Sequence, residues 1–81
     1  LLVGEAAAPE AFAVARSAAA ETEHVERVLH VMALQQGPGE ILLVVKLAFR
    51  SGVLVDDACR SINAFEARVR SRLPEARWIF V

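Results

Sequence analysis

Two apolar stretches of this chain are joined by a short polar segment, 35–40, that contains Gly37-Pro38-Gly39. A Gly-Pro-Gly core is typical of a turn. Residues 25–35 are rich in β-branched side chains and alternate poorly, so that both faces carry apolar groups. Residues 41–49 carry an apolar side chain at every second position. Two strand patterns joined by a short segment with turn residues predict a β-hairpin.

Helical patterns lie on either side of the predicted hairpin. The first covers residues 9–21 and begins at Pro9, because proline is tolerated at the first position of a helix. The second begins at Asp56 and Asp57, whose charges are favourable at a helix N-terminus, and ends before Pro74. Its apolar residues recur at spacings of three and four, which predicts one buried face.

A third strand is predicted over residues 77–81, after the second helix. A strand, a helix and a further strand usually form a right-handed parallel unit. The predicted fold is therefore α+β and ferredoxin-like, in the order αββαβ, with a three-stranded mixed sheet and both helices on one face. The predicted core consists of Phe12, Val28, Leu43, Val45, Leu47, Ile62, Val69 and Ile79.

The chain is unusually apolar for its size. It has 81 residues, of which 56% are hydrophobic and 23% charged, and so small a domain buries only about 60% of its unfolded surface. Part of the apolar surface should therefore contact another chain or domain. We predict a homodimer, because two helices on one face leave the other face of the sheet uncovered. The residues predicted at the dimer interface are Leu29, Val31, Leu42 and Val44.

Several classes of protein are excluded. The net charge of −1 argues against a nucleic-acid partner, and a single cysteine excludes an intramolecular disulfide and a cysteine-based zinc finger. The apolar run 41–45 is far too short to span a bilayer, and there is no signal-peptide pattern. No phosphate-binding loop and no nucleophile–histidine arrangement is present, so we predict that the chain is not an enzyme.

His30 is the leading candidate for a metal ligand, because neutral imidazole is a common zinc donor. Strand alternation places it on one face with Val28, Met32 and Leu34. Two copies across a dimer axis would supply two imidazoles. The alternative is a strand histidine that packs against Val28 and Met32 or is half-exposed.

Four other residues carry side chains capable of chemistry, and each has a structural interpretation. His24, with three glutamates nearby, is either part of a surface cluster able to hold metal or part of a solvated loop. Cys59 falls on the apolar stripe of the second helix, where a small core residue is expected. Asp56 and Asp57 are either ligands or residues that stabilise the N-terminus of that helix.

The order of several short motifs along the whole chain resembles one known family. The motifs are Leu1-Leu2-Val3-Gly4-Glu5-Ala6, Val25-Glu26-Arg27-Val28, Gly37-Pro38, Arg72-Leu73-Pro74-Glu75 and Trp78-Ile79-Phe80-Val81. Together they resemble the cytoplasmic C-terminal domain of the cation diffusion facilitators, which export divalent cations, commonly zinc, in exchange for protons. In that family the domain has a metallochaperone-like fold and dimerises. In several members it binds metal at the dimer junction.

The resemblance implies a linker over residues 1–8, leaving the last membrane helix, and a dimerisation and regulatory domain over residues 9–81. The partners would then be a second copy and the membrane domain of the same chain, at the cytoplasmic face of the cell membrane. The implied function is regulation of a proton-coupled, zinc-type efflux transporter. The alternative is a stand-alone ferredoxin-like domain that senses a small molecule.

The metal-binding residues of the family are only partly matched. The first strand offers His30, but the position late in the second strand falls near Val45 or Lys46, and the segment before Gly-Pro has Gln35 and Gln36. We therefore expect a domain that folds with no required cofactor. Zinc or another divalent cation would bind only weakly, through His30.

Overall fold

The computed structural model describes residues 5–6 and 9–81. The elements in chain order are β1 (Glu5–Ala6), α1 (Pro9–Ala20), β2 (Val25–Gly37), β3 (Glu40–Phe49), α2 (Val55–Arg72) and β4 (Ala76–Phe80). The predicted αββαβ order and mixed sheet are confirmed. The two-residue strand β1 adds to the three predicted strands, so the sheet has the order β1-β2-β3-β4. It lies within the predicted linker and pairs antiparallel with the end of β2.

The hairpin turn is tighter than predicted. β2 and β3 pair up to Gly37 and Glu40, which leaves only Pro38 and Gly39 in the turn. Proline fixes its own φ, and Gly39 has a φ of 67°, a combination that suits a type II turn. The Gln35 side chain also contributes, because its Nε2 donates to the carbonyl oxygens of Gly37 at 2.7 Å and Glu40 at 3.3 Å.

β2 is interrupted by bulges, and one of them overturns the prediction that His30 shares a face with Val28. Val28 pairs with Leu47, whereas His30 pairs with Lys46, so Leu29 is an extra residue in β2. A bulge of this kind reverses the alternation of the strand beyond it. Val28 therefore packs against the core with Leu47, and His30 faces the opposite side of the sheet with Lys46.

Both helices pack on the same face of the sheet, as predicted. Four alanines of α1 are fully or almost fully buried, Ala11, Ala15, Ala18 and Ala19, which allows that helix to approach the sheet closely. α2 contributes Phe65, Val69 and Leu73. Within the described residues the buried apolar core consists of Ala11, Ala15, Ala18, Ala19, Val25, Ala33, Ile41, Leu43, Val45, Phe65, Val69, Leu73, Ala76 and Ile79.

Most of the predicted core is correct. Leu43, Val45, Val69 and Ile79 are buried, and Phe12, Val28 and Leu47 pack partly buried against them. The exception among the predicted core residues is Ile62 of α2, and the expectation of a buried Cys59 on the same helix was also wrong.

On α2, Ser61, Phe65 and Val69 form the buried stripe at a spacing of four. Ile62 lies about 100° round the helix from Ser61, outside the core, and Cys59 lies about 200° away and is exposed. The helix begins at Val55, one residue earlier than predicted, with both aspartates in its first turn.

Neither helix in the described part of the chain is long and apolar enough to cross a bilayer.

Candidate functional site: the uncovered face of the sheet

The side of the sheet away from the helices carries two rows of apolar side chains. In each row a residue of β3 lies between one residue of β2 and one of β4. The first row is Leu34, Leu42 and Trp78, and the second is Met32, Val44 and Phe80. Trp78 and Phe80 keep 43% and 56% of their surface exposed, and no helix within residues 9–81 covers them. We call these six residues the open face.

One end of the open face is polar. The next pair beyond Met32 and Val44 is His30 and Lys46, both exposed. Lys46 places a positive charge directly across from the imidazole, which disfavours a second cation at His30. Within residues 5–6 and 9–81, no group of three His, Cys, Asp or Glu side chains is suitably arranged to hold a metal ion.

The structure separates the four residues that were predicted at the interface. Leu42 and Val44 belong to the open face. Val31 does not, because it lies opposite Val45 and packs against the core. Leu29 is 44% exposed but sits in the bulge of β2, outside both rows. The prediction that these residues share one face was therefore wrong for Val31.

Four residues of the open face were not among those predicted at the interface: Met32, Leu34, Trp78 and Phe80. The signal for the last two was present, because Trp78 and Phe80 alternate with the core residue Ile79 in β4. The face on which Met32 and Leu34 lie is set by the bulges of β2, which the sequence does not reveal directly.

The other candidate residues lie away from the open face. His24 is in the turn between α1 and β2 and lines a cleft together with Asp57 and Arg60 of α2. Asp57 forms an ion pair with Arg60, and Asp56 is exposed at the start of the helix. The structure therefore does not bring His24 and His30 together in one site.

An ion pair joins the ends of the two helices. Arg72 Nη2 donates to Glu21 Oε1 at 2.6 Å, and Arg72 Nη1 donates to Ser17 Oγ at 3.3 Å. The hydrogen bond from Arg72 is the main reason that the pKa of Glu21 lies below its usual value, and the same bond raises the pKa of Arg72. Both side chains are partly exposed, so this pair orients the two helix ends but adds little to the free energy of unfolding.

Comparison with known proteins identifies the fold. No protein-family model matches the chain, and no curated protein matches it. Among solved structures, it is similar to the nickel form of a substituted MamM C-terminal domain, with a TM-score of 0.83 and 19% identity over 91% of this chain and 92% of that one. A doubly substituted MamM domain gives a TM-score of 0.81 at 19% identity, over 89% and 86% of the two chains.

The copper form of another substituted MamM domain also gives a TM-score of 0.81 at 19% identity, over 89% of both chains. MamM is a cation diffusion facilitator. The resemblance predicted from the sequence is confirmed at the level of the fold. The chain folds as the C-terminal domain of a cation diffusion facilitator does.

Proposed function

We propose that the chain is the dimerisation and regulatory domain of a divalent-cation efflux transporter of the cation diffusion facilitator family. The observation that carries this proposal is the fold similarity over about nine-tenths of the MamM domain. The partners in the proposal are a second copy of the domain and the membrane part of the same polypeptide, at the cytoplasmic face of the membrane. The transport reaction, proton-coupled export of a zinc-type cation, would belong to that membrane part, so this domain itself would not be an enzyme.

The open face supports dimerisation. A twofold axis brings the same surface of two subunits together, so a flat apolar patch can be its own partner. Aromatic residues and methionine are enriched in the buried centres of protein interfaces, and Trp78, Phe80 and Met32 belong to these classes. Stacked sheets pack about 10 Å apart, which allows the two rows of one copy to contact those of the other.

The dimer is tested by sedimentation equilibrium of the chain. We expect a monomer–dimer equilibrium that favours dimer at tens of micromolar, since burying a full-sized apolar face gives dissociation constants in the micromolar range or below. Monomer alone at several hundred micromolar would contradict self-association of this domain.

The role of metal in this domain is proposed to be minor. His30 supplies one imidazole per chain, so a twofold axis offers two, whereas a closed zinc site uses four ligands. Carboxylates or water would have to complete the site beside the two Lys46 ammonium groups. Binding there would be weak and would require neutral imidazole, so it would weaken as the pH falls.

Calorimetric titration of the chain with zinc tests this view. We expect only weak heats in the wild type, with a further loss in His30→Ala. His24→Ala is the matched control, because it removes the other histidine, which lies away from the open face. Tight stoichiometric binding that disappears in His30→Ala and persists in His24→Ala would show that His30 forms a true regulatory site.

A further inference from the structure

A cleft of about 260 Å³ lies on the helical side of the molecule, between α2 and the turn that joins α1 to β2. It is lined on one side by Glu23 and His24 of the turn. On the other side it is lined by residues of α2, including Asp57, Arg60, Ser61 and Arg68. None of the residues that line the cleft belongs to the open face. The cleft therefore remains accessible to a ligand even when two copies of the domain associate through the open face.

The two walls of the cleft are fixed to each other by hydrogen bonds. Ser61 is buried, and its Oγ donates to the carbonyl oxygen of Glu23 at 2.8 Å. Arg68 Nη1 donates to Thr22 Oγ1 at 3.2 Å, and the buried Thr22 hydroxyl donates in turn to the carbonyl oxygen of Ala18 at 2.6 Å. The cleft is therefore formed before any ligand arrives, which lowers the entropic cost of binding.

His24 is held in an unusual backbone conformation at the edge of this cleft. Its φ is 72°, and no other residue in the described part of the chain, apart from glycine, has a positive φ. The N–H of Arg50, at the end of β3, donates to its carbonyl oxygen at 2.9 Å and helps to hold it there. Residues maintained in the left-handed region tend to cluster at binding sites.

The charges that line the cleft are incompletely paired. Asp57 and Arg60 neutralise each other in an ion pair. Arg68 is half-buried and donates to a neutral hydroxyl, and among the described residues no carboxylate lies within 4.0 Å of it. Its charge also lowers the pKa of Glu21, after the larger effect of Arg72, but Arg72 already holds that carboxylate. The guanidinium of Arg68 therefore has donors left for an anion.

Glu23 supplies the opposite charge on the other wall. Its side chain is 85% exposed, and its Oε1 lies 3.9 Å from His24 Nε2, too far for a hydrogen bond. A ligand with one anionic and one cationic group would satisfy both Arg68 and Glu23. A simple anion would bind Arg68 but leave Glu23, the other unpaired charge of the cleft among the described residues, without a partner.

We propose that this cleft binds a small zwitterion of the α-amino acid class, with its carboxylate at Arg68 and its ammonium at Glu23. Guanidinium and carboxylate groups pair through two parallel hydrogen bonds, which gives the site its orientation. The volume suits a ligand of amino-acid size rather than a nucleotide.

The test is an amide nitrogen–proton NMR titration of the chain with L-serine, carried up to about 20 mM because small ligands bind in the millimolar range. We expect saturable shifts confined to residues 21–24 and 57–68. Acetate, methylammonium and inorganic phosphate are titrated separately, and we expect none of them to produce the same shifts. Absence of saturable shifts with L-serine would overturn the proposal. Equal shifts with acetate or phosphate would also overturn it, since they would indicate a plain anion site.

Two variants test which side chain binds the carboxylate of the ligand and which binds its ammonium group. We expect Glu23→Gln and Arg68→Gln each to weaken binding by roughly tenfold, the loss of about one charged hydrogen bond. Glu10→Gln and Arg70→Gln are the matched controls, since both side chains are exposed and outside the cleft. Glu23→Gln keeps the proposal falsifiable even if Arg68→Gln disturbs the fold, because the Glu23 side chain makes no hydrogen bond in the described structure. Unchanged affinity in Glu23→Gln would overturn the assignment.

Discussion

Replacing Leu43 by alanine should lower the free energy of unfolding by about 2–5 kcal/mol, the range observed for buried leucines. Leu43 is completely buried on the central strand β3, opposite Ala33 on one side and Ile79 on the other. Neither neighbour can fill the space left by the isobutyl group, because Ala33 is small and Ile79 is held by its own strand. Small domains have a total stability of only about 5–15 kcal/mol, so this variant should be close to unfolding.

Urea denaturation followed by circular dichroism measures this change. The matched control is Leu54→Ala, since Leu54 is the same residue type but 69% exposed before α2. We expect the control to change stability by no more than about 0.5 kcal/mol. If Leu43→Ala had the same small effect as Leu54→Ala, the assignment of β3 faces to core and open side would be wrong.

Replacing Val44 by glutamate should raise the dimer dissociation constant at least roughly a hundredfold, which corresponds to about 2.7 kcal/mol. Val44 lies at the centre of the open face, between Met32 and Phe80. A carboxylate there would be taken out of water in the dimer without a cationic partner beside it in its row. The twofold axis would also bring two such charges close together, and like charges at an interface cost several kcal/mol.

Sedimentation equilibrium of the variant beside the wild type is the measurement, with circular dichroism to confirm that the monomer still folds. Leu54→Glu is the control, because it places the same charge on an exposed apolar residue away from the open face. Phe80→Glu is a second test if Val44→Glu does not fold, since Phe80 is more exposed in the monomer. Folded variants that dimerise as tightly as the wild type would exclude the open face as the interface.

The arrangement of elements was predictable because each has a strong local signal. Pro38 and Gly39 mark the turn, Pro9 marks the start of α1, and Pro74 follows the end of α2. The alternation of β3 also placed Leu43 and Val45 correctly in the core. These signals depend on the chemistry of single residues or on a simple period, so they can be recognised without knowing the tertiary structure.

The composition of the open face was harder to predict because strand register is involved. The turn pairs Gly37 with Glu40, and an unbroken ladder from that pair would place Val31 opposite Lys46, on the side away from the helices. A bulge at Gln36 shifts the ladder by one, so that Val31 lies opposite Val45 and faces the core. Nothing in the local sequence specifies this extra residue, whereas one step of register exchanges the two faces of a strand.

The parallel pairing of β3 with β4 created a similar difficulty. No turn connects these strands directly, so the pairing of Leu42 with Trp78 and of Val44 with Phe80 depends on how α2 packs. The buried face of α2 was only partly predicted, because Val69 is in the core as expected whereas Ile62 was predicted there and Ser61 was not. Both errors concern tertiary contacts, which override local pattern at these positions.

The position of β4 beside the central strand also affects the order of events during folding. A hairpin such as β2–β3 closes through a two-residue turn and forms within roughly microseconds. Pairing of β4 with β3 must close the much longer segment 50–75, which contains α2, so we expect it to follow later. During that interval Leu42 and Val44 have a free strand edge on one side and lack Trp78 and Phe80 as neighbours. The nascent sheet would then be most exposed to pairing with the wrong chain, and docking of β4 both closes that edge and completes the surface for the correct partner.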